Sequence, residues 1–154
     1  MNYDLRHTTL NIAIIHTPLT IEIYGFSGIA LNNDYAGTAF KLSGKMWQIV
    51  KENGIKNKGQ NIWVYEPDES VFAGVELDEP RNRNSELQHK TITLKKYAYF
   101  KHIGSYNLLK QTGQNMIKEI KERGFQTTLP YIEIYGRRNN DETKLETELL
   151  MSLL

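Results

Sequence analysis

"NIWVYEP" (61–67) and "YIEIYGR" (131–137) stand 70 residues apart and align position by position. Ile62 meets Ile132, Trp63 meets Glu133, Val64 meets Ile134 and Tyr65 meets Tyr135. At the same offset "KENGI" (51–55) lies over "KERGF" (121–125), Met46 over Met116 and Val50 over Ile120. Identity is low, but the order and kind of residues agree, which is the mark of an internal repeat.

Working outward, each copy reads as strand, helix, strand, strand. In the first, "TIEIYGFSGIAL" (20–31) is a strand region, and 38–53 is a helix with Phe40, Ser43, Trp47 and Val50 on one stripe, stopped by Gly54. "NIWVYEP" and "SVFAGVEL" follow as strands joined by a turn at Asp68-Glu69. In the second, "HKTITLKKYAYFKHIG" (89–104) is a strand region, and 107–123 is a helix with Leu109, Thr112, Met116 and Ile120 aligned, closed by Gly124. "PYIEIYGR" and "KLETELLMSL" form the last strand pair. The expectation is an α+β fold: a tandem repeat of two such modules with pseudo-two-fold symmetry, an antiparallel sheet and a central ligand cleft. The whole chain, 1–154, reads as one domain, with modules at about 10–77 and 89–154 and a polar linker at 78–88 containing Pro80. Each helix carries an internal glycine, Gly44 and Gly113, which costs ~1 kcal/mol against alanine. Close approach of helix to sheet is the expected reason.

Side chains alternate along a strand. Ile132 and Ile134 share one face, while Tyr131, Glu133 and Tyr135 share the other. The isoleucines are expected under the helix at 107–123, and Ile62 and Val64 under the helix of their own module. The opposite faces, joined about the pseudo-axis, would give a cleft walled by Trp63, Tyr65, Tyr131 and Tyr135 with Glu133 near its floor. Tyr97 and Tyr99 alternate against Ala98 and Phe100 and are candidates for the same wall. The bland alternative is a solvated sheet face carrying an ordinary Tyr-Glu-Tyr row.

Composition narrows the function classes. The 154 residues carry 19 Lys+Arg and 18 Asp+Glu, a formal charge of +1, so nothing draws the protein broadly to nucleic acid or to an anionic membrane. Nine tyrosines and two tryptophans suit a wall that is apolar in body and polar at the tip. No cysteine is present, which excludes disulfides and thiolate chemistry. The N-terminus lacks a signal-type core, and no stretch reaches the ~18 apolar residues of a membrane span. A cytoplasmic protein is expected, monomer or homodimer.

Other chemistry is thin. "GFSG" (25–28) approaches a nucleophile elbow but has Ile29 where the last glycine belongs. His7, His16, His89 and His102 are scattered without metal-ligand spacing, and His102 reads as a strand-end residue, in a hydrogen bond or at the surface. No metal or cofactor is called for. "KEIKERG" reads as a solvated helix face.

At these residues the chain resembles the GyrI-like small-molecule-binding family, the effector-binding domains of multidrug-responsive and AraC-type bacterial transcription regulators. "KYAYFKHIGSYNLL" resembles the family's strand end and following helix, "YIEIYGRR" its Glu-x-Tyr strand, "LETELLMSLL" its last strand, and the tryptophan of "KMWQIV" its first helix. Ser105 stands where the family usually has proline. The resemblance implies that Glu133 is a pocket acid for amphipathic, often cationic aromatic ligands. Tyr135 carries over with it, and Tyr131, Trp63, Tyr65, Tyr99 and Trp47 carry over as wall residues. It implies a stand-alone binding protein for sensing or sequestration, whose partner is a small molecule. Two alternatives accompany it: hydrolysis of strained electrophiles by Glu133 as base with Tyr135 or Tyr65 as proton donor, or a protein-partner role such as inhibition of DNA gyrase.

Overall fold

The computed structural model describes residues 10–79 and 86–154. Among the described residues are eight strands and two α-helices: β1 (Ala13–Ile15), β2 (Leu19–Ile29), α1 (Tyr35–Glu52), β3 (Asn61–Tyr65), β4 (Ser70–Val75), β5 (Gln88–Leu94), β6 (Tyr97–Ile103), α2 (Leu109–Glu122), β7 (Thr127–Tyr135) and β8 (Glu146–Leu153). All eight strands join one antiparallel sheet in the order β1-β6-β8-β7-β3-β4-β2-β5. The fold is the expected α+β duplication. His7 and the greater part of the 78–88 linker, Pro80 included, lie outside the described residues.

The register at the centre locates the pseudo-two-fold axis. β3 and β7 pair antiparallel with Ile62 opposite Ile134, Trp63 opposite Glu133 and Val64 opposite Ile132. Only Trp63 and Glu133 are both register partners and repeat equivalents, so the axis passes between them. The turn at Asp68-Glu69 joins β3 to β4 with both residues at positive φ (63° and 60°), the backbone of a tight hairpin. Gly54 and Gly124, at φ 59° and 85°, end the two helices as the sequence predicts.

Three features differ from the sequence reading. "HKTITLKKYAYFKHIG" is two strands, not one. The chain breaks at Lys95-Lys96, sending β5 to pair with β2 in the first module and β6 to pair with β1 and β8. β1 and β5 are therefore exchanged between the modules. Two residues thus connect one edge strand to the strand beside the other edge, and this is geometrically possible only if the sheet is strongly curled.

The second difference follows from that curl. Ile62, Val64 and Ile132 are buried with Ile23, Phe72 and Leu150 in a cluster drawn from the strands alone. The sheet's helix-free face closes on itself and needs no helix to cover it. The helices lie on the other face. Ala98, Leu149 and Met151 pack against Met116 and Ile120 of α2. Tyr24, Phe26 and Val75 pack against Met46 and Val50 of α1. The isoleucines expected under the helices lie on the helix-free face, and the Tyr-Glu-Tyr row lies on the helical face.

The third concerns the helix interiors. A Cβ built on Gly44 meets no atom within 4 Å, and one on Gly113 meets only the tip of Met151 at 4.0 Å. Neither glycine permits a close approach to the sheet. Phe40, placed on the core stripe by spacing, is 71% exposed, and Ala39, Ser43, Met46 and Val50 form the buried face of α1 instead.

Candidate functional site

The helices sit over different parts of the sheet, α1 mainly against β2 and β4 and α2 against β6 and β7. The strip of sheet between them is the β3–β7 pair at the axis. Its helical-face side chains, Trp63, Tyr65, Tyr131, Glu133 and Tyr135, line a cleft of about 900 Å³. Tyr35 and Phe40 of α1 line it from one side, and Tyr106, Gly113 and Ile117 from the other. Gly113 thus leaves room in the cleft.

Glu133 is the hub. Tyr65 and Tyr135 both donate to its Oε1 at 2.8 Å, and Tyr131 donates to Oε2 at 2.8 Å. An ionised carboxylate only accepts, and three phenols that only need to donate match it. The sequence explains the geometry. Tyr131 and Tyr135 are two residues either side of Glu133 on one strand face, and Tyr65 sits across the register from Tyr131. The rings are mutually braced: Tyr65 stacks on Tyr131 at 5.5 Å, Trp63 meets Tyr135 at 4.7 Å, and Tyr106 meets Tyr135 edge-on at 5.5 Å. Burial pushes all three phenols well above the ordinary phenol range, and the Glu133 charge adds to this. They remain proton donors throughout the neutral range. Among the described residues no cation pairs with Glu133. Lys110 and Arg138 line the cleft without reaching such a pairing.

Three of the sequence-predicted wall residues are elsewhere. Tyr99 points to the helix-free face, where it packs beside the strand cluster and donates to Glu148 Oε1 at 2.6 Å. Tyr97 is buried in that cluster as well. The single-strand reading of 89–104 hid how β6 is placed. Trp47 lies outside the cleft and lines an adjoining hollow, where its Nε1–H donates to Asn61 Oδ1. His102 is buried, with Nε2 near Ser105 O at 3.1 Å and Nδ1 near Thr112 Oγ1 at 2.9 Å, so it ties the end of β6 to α2. Ser105 accepts from Asn107 N–H and caps the turn that opens the helix.

Residues that spacing missed complete the site. Tyr35 and Tyr106 enter from the chain just before or at the start of a helix, where no periodicity marks them. Phe40 and Ile117 were hidden because an apolar residue on a helix reads as core. Asn61 had a legible signal: the repeat offset places it over Tyr131.

The sequence profile of the GyrI-like small molecule binding domain matches residues 24–154. No curated protein matches the sequence significantly. Among solved structures, the EcmrR C-terminal domain superposes with a TM-score of 0.71 at 15% identity, covering 96% of this chain and 99% of that one. In the EcmrR–DNA complex the TM-score is 0.64 at 13% identity, covering 92% of this chain and 56% of that longer one. SAV2435, solved bound to tetraphenylphosphonium, gives 0.61 at 16% identity, covering 96% and 94%.

Proposed function

Because the chain belongs to the GyrI-like small-molecule-binding family, we propose that it binds amphipathic, often cationic aromatic molecules in the cleft between α1 and α2, for cytoplasmic sensing or sequestration. The observation that carries the reading is Glu133, a carboxylate with three phenol donors and no paired cation among the described residues, set in an aromatic cleft. The phenols hold the acid in place without neutralising it. A ligand cation supplies the missing countercharge and meets ring faces, each contact contributing ~0.5–2 kcal/mol. Apolar ligand surface contributes ~25 cal/mol per Å² buried. Rings accept many shapes, so selectivity rests mainly on charge. That SAV2435, of the same fold, was solved with a lipophilic phosphonium is consistent with this.

The same network takes three of the four lone-pair sites of the carboxylate and leaves one on Oε2, open to a ligand cation or to a water.

The test is calorimetric titration with tetraphenylphosphonium and with uncharged triphenylphosphine oxide. Glu133→Gln is expected to weaken the cation by ~2–5 kcal/mol, the range for truncating one partner of a buried charge pair, and to leave the neutral ligand nearly unchanged. Equal losses for both would contradict the charge argument. Multiple turnovers of an electrophilic ester, abolished by the same substitution, would make catalysis the better reading.

A further inference from the structure

Away from the axis pair Trp63 and Glu133, the pseudo-symmetry fails again at Asn61 and its equivalent Tyr131. Where the second module has Tyr131, stacked on Tyr65, the first has Asn61, which lies across the register from Tyr135. The shorter side chain leaves a hollow of about 440 Å³ beside the Glu133 cleft. The two spaces share Phe40, Asn61, Trp63, Gly136 and Arg138, so they adjoin. Gly44 and Gly59 widen this annex. A Cβ at either would meet nothing within 4 Å, and Gly59 also has φ 82°, a backbone that favours glycine.

The polarity of the annex is opposite to that of the cleft. Ser43 Oγ–H donates to Asn61 Oδ1 at 2.8 Å, and Trp47 Nε1–H donates to the same oxygen. Two donors on that oxygen fix the orientation of the amide and leave its Nδ2 protons for an occupant. Trp63 Nε1–H is buried with no partner. Arg137 and Arg138 line the space, and no carboxylate pairs with either among the described residues. None of the side chains lining the space is acidic, and the two arginines carry full positive charge. A space lined in this way matches a carboxylate, sulfonate or phenolate, which arginine grips through paired hydrogen bonds. It repels a second cation. The opposite mouth of the cleft differs: Glu66 lines it but is already paired with Lys90 at 2.6 Å.

From these observations we infer that the annex lined by Asn61, Arg137 and Arg138 receives an anionic group, so that the preferred ligand is an amphoteric aromatic molecule. Its cationic part lies against Glu133 and its acidic substituent enters the annex. This rests on the proposed cleft function for the cationic half and adds an orientation and a substrate class to it.

Rhodamine B and its ethyl ester differ at one carboxyl, and both fluoresce, so anisotropy titration reads each affinity directly. In the wild type the free acid should bind more tightly than the ester. Arg137→Ala, at the arginine that lines the annex and not the cleft, should weaken the acid by about tenfold and change the ester by less than about twofold. Gly44→Leu fills the annex without altering charge and favours the helix. It should likewise cost the acid more than the ester, which separates occupancy from long-range electrostatics. Equal losses for the two dyes, or none, in both variants would overturn the annex assignment. Glu133→Gln reports on the other half. If it spares both dyes while the arginine effect stays selective, the cation reading fails and the annex stands. If neither dye binds the wild type, both are refuted.

Discussion

The central strand pair presents two faces with different duties. On one, Ile62, Val64 and Ile132 are buried to 1% exposure or less, against other strands and nothing else. On the other, one residue further along each strand, Trp63, Tyr65, Tyr131, Glu133 and Tyr135 remain half-buried around a cleft. A two-residue period keeps these sets apart, so the sheet can secure its fold with one and bind with the other. The curl makes the division possible. Because the helix-free face seals itself, the helices are not needed over the axis and can stand apart there, leaving a gap. The duplication supplies the same scaffold twice, yet the charge is placed once, as Glu133 opposite Trp63. A second carboxylate at 63 would face the first across the register, where like charges destabilise.

The largest effect should come from breaking the dry face. Ile132→Ala removes a fully buried side chain at the meeting of several strands. Urea denaturation should show a loss of ~2–5 kcal/mol, the range for such truncations. Dye affinity of the molecules that remain folded should be unchanged. A variant that kept full stability, or that lost ligand affinity in proportion, would show that the two faces are not independent.

The division was only partly legible beforehand. Alternation is fixed by strand geometry, so which side chains share a face, and that Glu133 shares one with Tyr131 and Tyr135, could be read directly. The 70-residue offset gave the repeat, and the register shows that it also gave the axis pair. What alternation does not carry is the identity of the layer above each face. Isoleucine suits contact with a helix or with another strand equally, and the curl that decides between them depends on where β1 and β5 go. That depended on Lys95-Lys96 acting as a break, and two lysines carry no turn signature. The displacement of Tyr99 has the same origin. Trp47 and Phe40 failed for a different reason. Position on a helix stripe was read as depth, but the α1 stripe is rotated onto Ala39, Ser43, Met46 and Val50, leaving those two rings beside the openings.

The wet face can be probed by alkali. Phenols in the unfolded chain ionise near pH 10.0, whereas burial and then Glu133 hold those of Tyr65, Tyr131 and Tyr135 protonated well beyond that. A folded pKa raised above the unfolded one gives stability that is whole below pH 10 and lost as the pH climbs past it. There the unfolded state releases protons that the folded state keeps. Each such phenol steepens the loss by up to ~1.4 kcal/mol per pH unit. Tyr131→Phe should make the decline shallower by that amount, measured by denaturant titrations between about pH 9 and 11. An unchanged slope would mean that the phenol does not retain its proton in the fold.

The smallest effect concerns the helix that borders the cleft. Gly113 lies in the middle of α2, and an added Cβ there would meet only the tip of Met151 at ordinary contact distance. If the glycine served packing, Gly113→Ala would destabilise the protein. With that space open, the substitution should instead stabilise it by ~0.5–1 kcal/mol through helix propensity. Its cost should appear on the other side of the comparison. Gly113 lines the cleft, so a methyl group there should weaken bulky cations such as tetraphenylphosphonium while sparing slender ones. Higher thermal stability together with reduced affinity for the bulkiest ligands would identify this glycine as a residue that holds the cleft open at the expense of the helix. Lower stability would return it to the packing role that the sequence suggested.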